Sequence, residues 1–184
     1  MPLVLETERL ILRTPERRDA NALARAINHP LIAATTLNIP HPYYREHAIK
    51  WIDTVRKLAR ENPAPSLTIF LKDTSELVGG VGLSGLNEKH RKAELGYWCA
   101  VDHWNKGITT EAAARVVRYG FQELGLARIH AICMVHNRAS ARVMEKLGMK
   151  FEGTARHEFL KNGRFEDFHH YAILRPDWEE RASG

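Results

Sequence analysis

Apolar positions along this chain of 184 residues switch repeatedly between a spacing of two and a spacing of three or four, the mark of strands and helices in alternation. A first strand is predicted over Arg9–Thr14, then a helix from about Glu16 to Asn28 with Leu23, Ala24 and Ile27 on one side. Pro30, Pro40 and Pro42 predict a loop over Pro30–Pro42. A second helix is predicted from about Tyr44 to Glu61, with Ala48, Trp51, Ile52, Val55 and Leu58 as its apolar stripe. Strands at Ser66–Lys72 and Leu77–Ser84 lead to the apolar run Glu94–Val101, a helix at Thr109–Leu124, a strand at Arg128–Val135 and a helix opening at Asn137. Two last strands, about Met149–Leu160 and Arg164–Leu174, flank Asn162-Gly163, a hairpin signal because both central positions of a type I′ turn take positive φ. Neither a repeat nor a linker interrupts this order, so a single domain over 1–184 is expected.

Two strand-to-helix junctions carry the chemistry. The first is Trp104-Asn105-Lys106-Gly107-Ile108-Thr109-Thr110-Glu111. A helix beginning there leaves its first backbone N–H groups without helical partners and aims them, with the positive end of its dipole, into the loop. Such a junction can seat an anion. Gly107 lets the backbone approach closely, Lys106 adds a mobile positive charge, and the Thr109 and Thr110 hydroxyls can cap the helix or bond the anion. An ordinary capped turn shares this local sequence. The second junction runs from the strand into Asn137-Arg138-Ala139-Ser140, with Asn137 as helix cap and Gly148 as helix stop.

The ordered pair of junctions resembles the GNAT superfamily of acetyl-CoA-dependent N-acetyltransferases. The family's cofactor loop reads Gln or Arg, two residues, Gly, one residue, Gly or Ala, at positions corresponding to Trp104-x-x-Gly107-x-Thr109; its next helix often opens Asn-x-x-Ser or Asn-x-x-Ala, here Asn137-x-x-Ser140. The likeness runs from Leu5–Arg13 to Tyr171–Leu174 and is greatest for the Rim-type branch, whose members include enzymes acetylating the N-terminal alanine or serine of ribosomal proteins. It implies an α/β (α+β) fold with a central mixed, mostly antiparallel sheet, splayed at the cofactor site and flanked by helices. It further implies that the pantetheine arm of acetyl-CoA pairs with backbone at Cys99, Ala100 and Val101. The pyrophosphate would lie on Lys106, Gly107, Ile108, Thr109 and Thr110, and Asn137 would hold the pantetheine amide. Trp104 and Thr109 depart from the family pattern, so side-chain contacts to the pyrophosphate differ while the backbone seat is kept.

Acetyl transfer to an amine needs a held acyl carrier, a neutral amine and a donor for the departing thiolate. Strand alternation puts Glu94, Gly96, Trp98 and Ala100 on one face, with Gly96 leaving room beside Glu94 for an acceptor. Glu94 is the candidate base, directly or through a water; it could instead orient the acceptor or pair with an Arg or Lys. Ser140 shares a buried helix face with Met144 and Leu147, where a hydroxyl should have a partner. By resemblance it lies near the thioester sulfur and would stabilise or protonate the thiolate; the alternative is a small residue placed for close packing. His136 is a weaker acid/base candidate. Acceptor contacts are expected from Thr35, Thr36, Asn38 and His41 in the Pro30–Pro42 loop, and from Tyr171 and His169 in the final hairpin.

Composition narrows the class. A hydrophobic fraction of 44% over this length supports one buried core. No run approaches the roughly 20 apolar residues that span a bilayer, and the N-terminus lacks signal-peptide order, so a cytoplasmic protein is expected. Cys99 and Cys133 lie in apolar strands and read as reduced buried thiols. The net charge of +5 is dispersed, with no nucleic-acid module; no direct nucleic-acid binding is predicted, and no His pair has helix-face metal spacing, so no metal is predicted. A protein N-terminal amine, such as a ribosomal protein's, is the leading acceptor. A small-molecule amine (amino acid, polyamine or antibiotic) and a non-catalytic acyl-CoA-binding sensor remain alternatives, and a homodimer is the ordinary expectation for an oligomer.

Overall fold

The computed structural model describes residues 3–61 and 63–183. Eight strands form one sheet: β1 (Val4–Glu6), β2 (Leu10–Arg13), β3 (Ser66–Leu71), β4 (Leu77–Asn87), β5 (Lys92–Cys99), β6 (Arg128–Met134), β7 (Lys150–Lys161) and β8 (Arg164–Leu174), in the order β1-β2-β3-β4-β5-β6-β8-β7. Every neighbouring pair is antiparallel except β5 and β6. Six helices flank it: α1 (Ala20–Ile27), α2 (Pro30–Thr35), α3 (Arg45–Glu61), α4 (Ile108–Gln122), α5 (Arg138–Lys146) and α6 (Arg175–Ser183).

Alternation along the strands divides the core in two. On one face Ala93, Leu95 and Cys99 of β5 and Ile129, Ala131 and Cys133 of β6 pack with Ala112, Val116 and Phe121 of α4 and Met144 of α5. On the other, Leu23 and Ile27 of α1 pack with Ala48 and Ile52 of α3, with Trp98 partly buried against them. A Cβ on Gly80 would fall 2.4 Å from the Trp98 indole nitrogen, so that glycine is what lets the ring lie across β4.

Three segments differ from the sequence expectation. The predicted loop 30–42 begins with a helix, α2, because Pro30 stands at its first turn, where a missing N–H costs nothing, and His29 Nδ1 accepts from the Leu31 N–H. The three residues of β1 pair with β2 at the sheet edge and are too few to show a period. The nearly all-polar α6 is held by Trp178 on Phe121, ring centroids 5.4 Å apart, and by the Arg175 guanidinium donating to the Phe121 and Leu126 carbonyls. At Asn162-Gly163 the φ values are 49° and 79°, the left-handed pair that the hairpin requires.

Candidate active site

β5 and β6 pair only at Lys92–Arg128, Ala93–Ile129 and Glu94–His130. Beyond that, β5 continues to Cys99 bonded to β4, and β6 to Met134 bonded to β8, so a wedge opens between them. The Ala100 N–H donates to Val78 O at 2.8 Å, which sets the phase of the β4–β5 ladder. Alternation then turns the backbone groups of Tyr97 and Cys99 toward the wedge. The Trp104 indole N–H donates to the Cys99 carbonyl at 2.9 Å, tying the strand end to the next loop. Of the three residues expected to pair with pantetheine, Cys99 borders the wedge. Ala100 faces the other way, and Val101 has entered a short 3₁₀ turn, Val101–His103.

The wedge opens into a cleft of about 720 Å³. Glu94, Gly96, Tyr97 and Cys99 line it from β5, Ile132 and Cys133 from β6, Gly107 and the α4 start through Thr110 from one end, and Asn137 and Ser140 from α5. Thr35, Thr36 and Asn38 close the far side. Thr35 Oγ1 donates to the Leu31 carbonyl at 3.0 Å and Thr36 Oγ1 to the Ile32 carbonyl at 2.9 Å, capping α2. Lys161 Nζ donates to the Ala33 and Thr36 carbonyls, so the β7–β8 hairpin holds this segment over the cleft.

Several expected residues lie elsewhere. His41 is exposed beyond the cleft wall. Tyr171 faces the α4–α5 core with its ring 5.4 Å from Phe151, because an odd step along β8 separates it from Phe168, which does line the cleft. His169 bonds Thr154, and His136 lies 3.9 Å from Glu166 in a separate surface depression. Lys106 is outside the lining, but its charge favours the ionised Cys99 thiol, whose pKa burial raises.

At the α4 start Gly107 has φ 78°, and Glu111 N–H makes the first helical bond, to Gly107 O at 3.0 Å. The N–H groups of Ile108, Thr109 and Thr110 lie ahead of that bond and have no helical acceptor, an arrangement able to seat an anion. Asn137 caps α5 through its side-chain oxygen, which accepts from the Ser140 N–H at 3.1 Å.

The Ser140 hydroxyl meets two groups. Tyr97 Oη lies 3.0 Å from Ser140 Oγ, and the same hydroxyl favours the ionised form of the neighbouring Cys133 thiol. Burial pushes the Cys133 thiol up to about 11 and the Tyr97 phenol well above its ordinary range, so both keep their protons at neutral pH. Glu94 stands across the cleft, its side chain 40% exposed, with His130 Nε2 3.6 Å from its carboxylate and no Arg or Lys paired to it among the described residues. His130 Nδ1 is buried without a partner. A Cβ on Gly96 would meet nothing within 4 Å, so the space beside Glu94 is open.

Sequence reasoning missed Tyr97 and His130. A hydroxyl on the core face of an otherwise apolar strand was the available signal for Tyr97; the parallel register that pairs Glu94 with His130 leaves none. Among the described residues no group of three or more His, Cys, Asp or Glu could hold a metal ion, both cysteines are free, and no helix is long and apolar enough to cross a membrane.

Residues 9–150 match the family model described as an acetyltransferase (GNAT) domain. An uncharacterized N-acetyltransferase of Bacillus subtilis, YoaA, is 36% identical over 94% of this chain and 97% of its own. A putative ribosomal N-acetyltransferase of the same organism, YdaF, is 33% identical over 94% of each chain. The crystal structure of a probable acetyltransferase superposes with a TM-score of 0.86 at 28% identity, covering 96% of this chain and 99% of that one. With the parallel pair, the wedge and the glycine-led α4 start in place, the chain belongs to the GNAT family and is an acetyl-CoA-dependent N-acetyltransferase.

Proposed function

We propose that this enzyme moves the acetyl group from acetyl-CoA to the N-terminal amine of a protein or peptide, by direct attack within a ternary complex. The observation that carries this reading is the placement of Ser140 with Tyr97 on one wall of the wedge and Glu94 beside open space on the other. The pyrophosphate of the donor is held by the N–H groups of Ile108, Thr109 and Thr110, and its pantetheine arm pairs with the free edge of β5 at Tyr97 and Cys99. Asn137 stays engaged in capping α5 and so acts by placing Ser140.

The amine nitrogen attacks the thioester carbonyl carbon, the C–S bond breaks as the tetrahedral intermediate collapses, and the amine proton passes to Glu94 directly or through one water. Ser140 donates a hydrogen bond to the departing thiolate and so stabilises its growing charge, the thiolate leaving as the anion or taking its proton from solvent, and Tyr97 holds that hydroxyl in place. An α-amine has a pKa near 8, so much of it is neutral without help and Glu94 acts as orienting group as much as base.

A peptide amine is favoured because the far wall of the cleft is built by the chain segment at Thr35–Asn38, and because YdaF carries a ribosomal acetyltransferase name at 33% identity. Acetyl-CoA consumption measured against peptides with N-terminal alanine or serine, free amino acids and polyamines tests the assignment. Turnover of the peptides above the small amines is expected. Turnover of small amines alone moves the enzyme to the small-molecule class, and no turnover of any amine leaves an acyl-CoA-binding protein.

A further inference from the structure

The N-terminal arm reaches the anion seat from outside the motif that builds it. Thr7 Oγ1 donates to Glu111 Oε1 at 2.5 Å, and the Arg9 N–H donates to the same oxygen at 3.0 Å. The Arg9 guanidinium donates to Glu111 Oε2 through Nε at 2.7 Å and NH2 at 2.6 Å, while NH1 donates to the Lys106 carbonyl at 3.1 Å. Arg9 thus spans the turn from the residue before Gly107 to the first turn of α4. Its NH2 would lie 3.4 Å from a Cβ on Gly107, so it borders the surface that this glycine leaves bare.

A guanidinium carries five N–H donors in a planar fork, and these contacts use three of them. The side chain is 49% exposed, which leaves two donors free for an anion at the loop. Charge points the same way. Glu111 places a carboxylate in the first turn of a helix whose N-terminus should receive phosphate, and Arg9 neutralises it in place. Burial pushes the Glu111 carboxyl up, but the bonds from Thr7 and Arg9 more than offset this and hold it below its ordinary value.

We infer that Arg9 is a positioning residue for the diphosphate of the acyl-CoA donor, fixing the Lys106–Glu111 turn and completing its anion seat with its free N–H groups. This rests on the reading of the α4 start as that seat. A role confined to pinning the arm would weaken all ligands alike. A role at the diphosphate acts only on donors that have one.

The test is calorimetric titration of CoA, and of pantetheine, which lacks the diphosphate and nucleotide, into the wild type, Arg9→Met and Thr7→Val. Arg9→Met should weaken CoA roughly tenfold or more, the loss of a hydrogen bond to a charged group, with pantetheine binding unchanged. Thr7→Val, which removes the arm's part-buried bond to the Glu111 carboxylate but keeps the guanidinium, should hold CoA within about twofold of wild type, since Thr7 offers the diphosphate no donor of its own. Undiminished CoA binding by Arg9→Met overturns the inference, as does an equal loss of both ligands or an equal loss of CoA in Thr7→Val. A wild type that binds no CoA contradicts the cleft assignment itself, a separate failure.

Discussion

The Tyr97 hydroxyl stands 3.0 Å from Ser140 Oγ and 3.1 Å from the Ser140 carbonyl oxygen, so one phenol joins β5 to the first turn of α5 at the wedge. A phenol has a single hydrogen. When that hydrogen goes to Ser140 Oγ rather than to the carbonyl, the serine keeps its own hydroxyl hydrogen free to turn toward the departing sulfur.

Ser140→Ala should therefore slow transfer about 10- to 150-fold, the equivalent of about 1.5–3 kcal/mol for a hydrogen bond to a charge that grows in the transition state, with little change in acetyl-CoA affinity. An activated thioester donor, whose leaving group needs less help, should recover part of the loss. Equal impairment with both donors assigns Ser140 to packing.

The rate should rise with pH as the acceptor amine deprotonates near pH 8, and then stay level. Burial raises the Tyr97 phenol above its ordinary value of about 10, so its proton remains through that range and no alkaline decline is expected between pH 9 and 10. Glu94→Gln should lose most rate at low pH, with the deficit shrinking as the amine deprotonates unaided. A deficit constant with pH would make Glu94 an orienting group alone.

Gly96→Val adds side-chain bulk where a Cβ meets nothing within 4 Å. The expected result is a folded enzyme with a KM for the amine raised roughly tenfold, on the scale of about 1–3 kcal/mol for a steric change in a binding pocket, and unchanged affinity for CoA. Unchanged amine KM would show that the acceptor does not pass beside Glu94.

Arg13 and Asp19 form a bidentate pair at 2.7–2.8 Å, and Asp19 also accepts the Glu16 N–H at 2.7 Å. Burial raises the Asp19 pKa, while the Arg13 and Glu16 bonds more than compensate and hold it below its ordinary value. A carboxylate depressed in the folded state stabilises the fold above its unfolded pKa, about 3.9, and that contribution disappears as pH falls through the lower folded value. Asp19→Asn should cost about 3 kcal/mol near pH 7, the lower end for breaking a largely buried pair, and less at pH 2–3. Urea melts at the two pH values check this; a cost independent of pH would contradict it.

The sequence made the local features of this site legible. Asn137, Gly148 and Asn162-Gly163 occupy the cap, stop and turn positions that their chemistry predicts, and Gly107 takes a positive φ at the start of α4, because a cap or a turn is encoded within four residues. Contacts across long separations were not. Ser140 finds Tyr97 43 residues away, and Arg9 finds Glu111 across 102, which only the folded sheet specifies. Tyr171 fell outside the cleft because strand phase, not proximity in sequence to Phe168, decides which face a residue joins. In α2, Pro30 argued against a helix by residue type while standing at the one position where proline begins one.

Cys133, on the cleft wall beside Ser140, is a side chain that a covalent acetyl-enzyme route could use; its thiol, raised to about 11, is almost wholly un-ionised at neutral pH. Initial rates of acetyl transfer with acetyl-CoA and an N-terminal alanine peptide both varied separate the two routes. Direct attack in a ternary complex predicts reciprocal plots that intersect. Parallel lines, the pattern of a ping-pong enzyme, would contradict it.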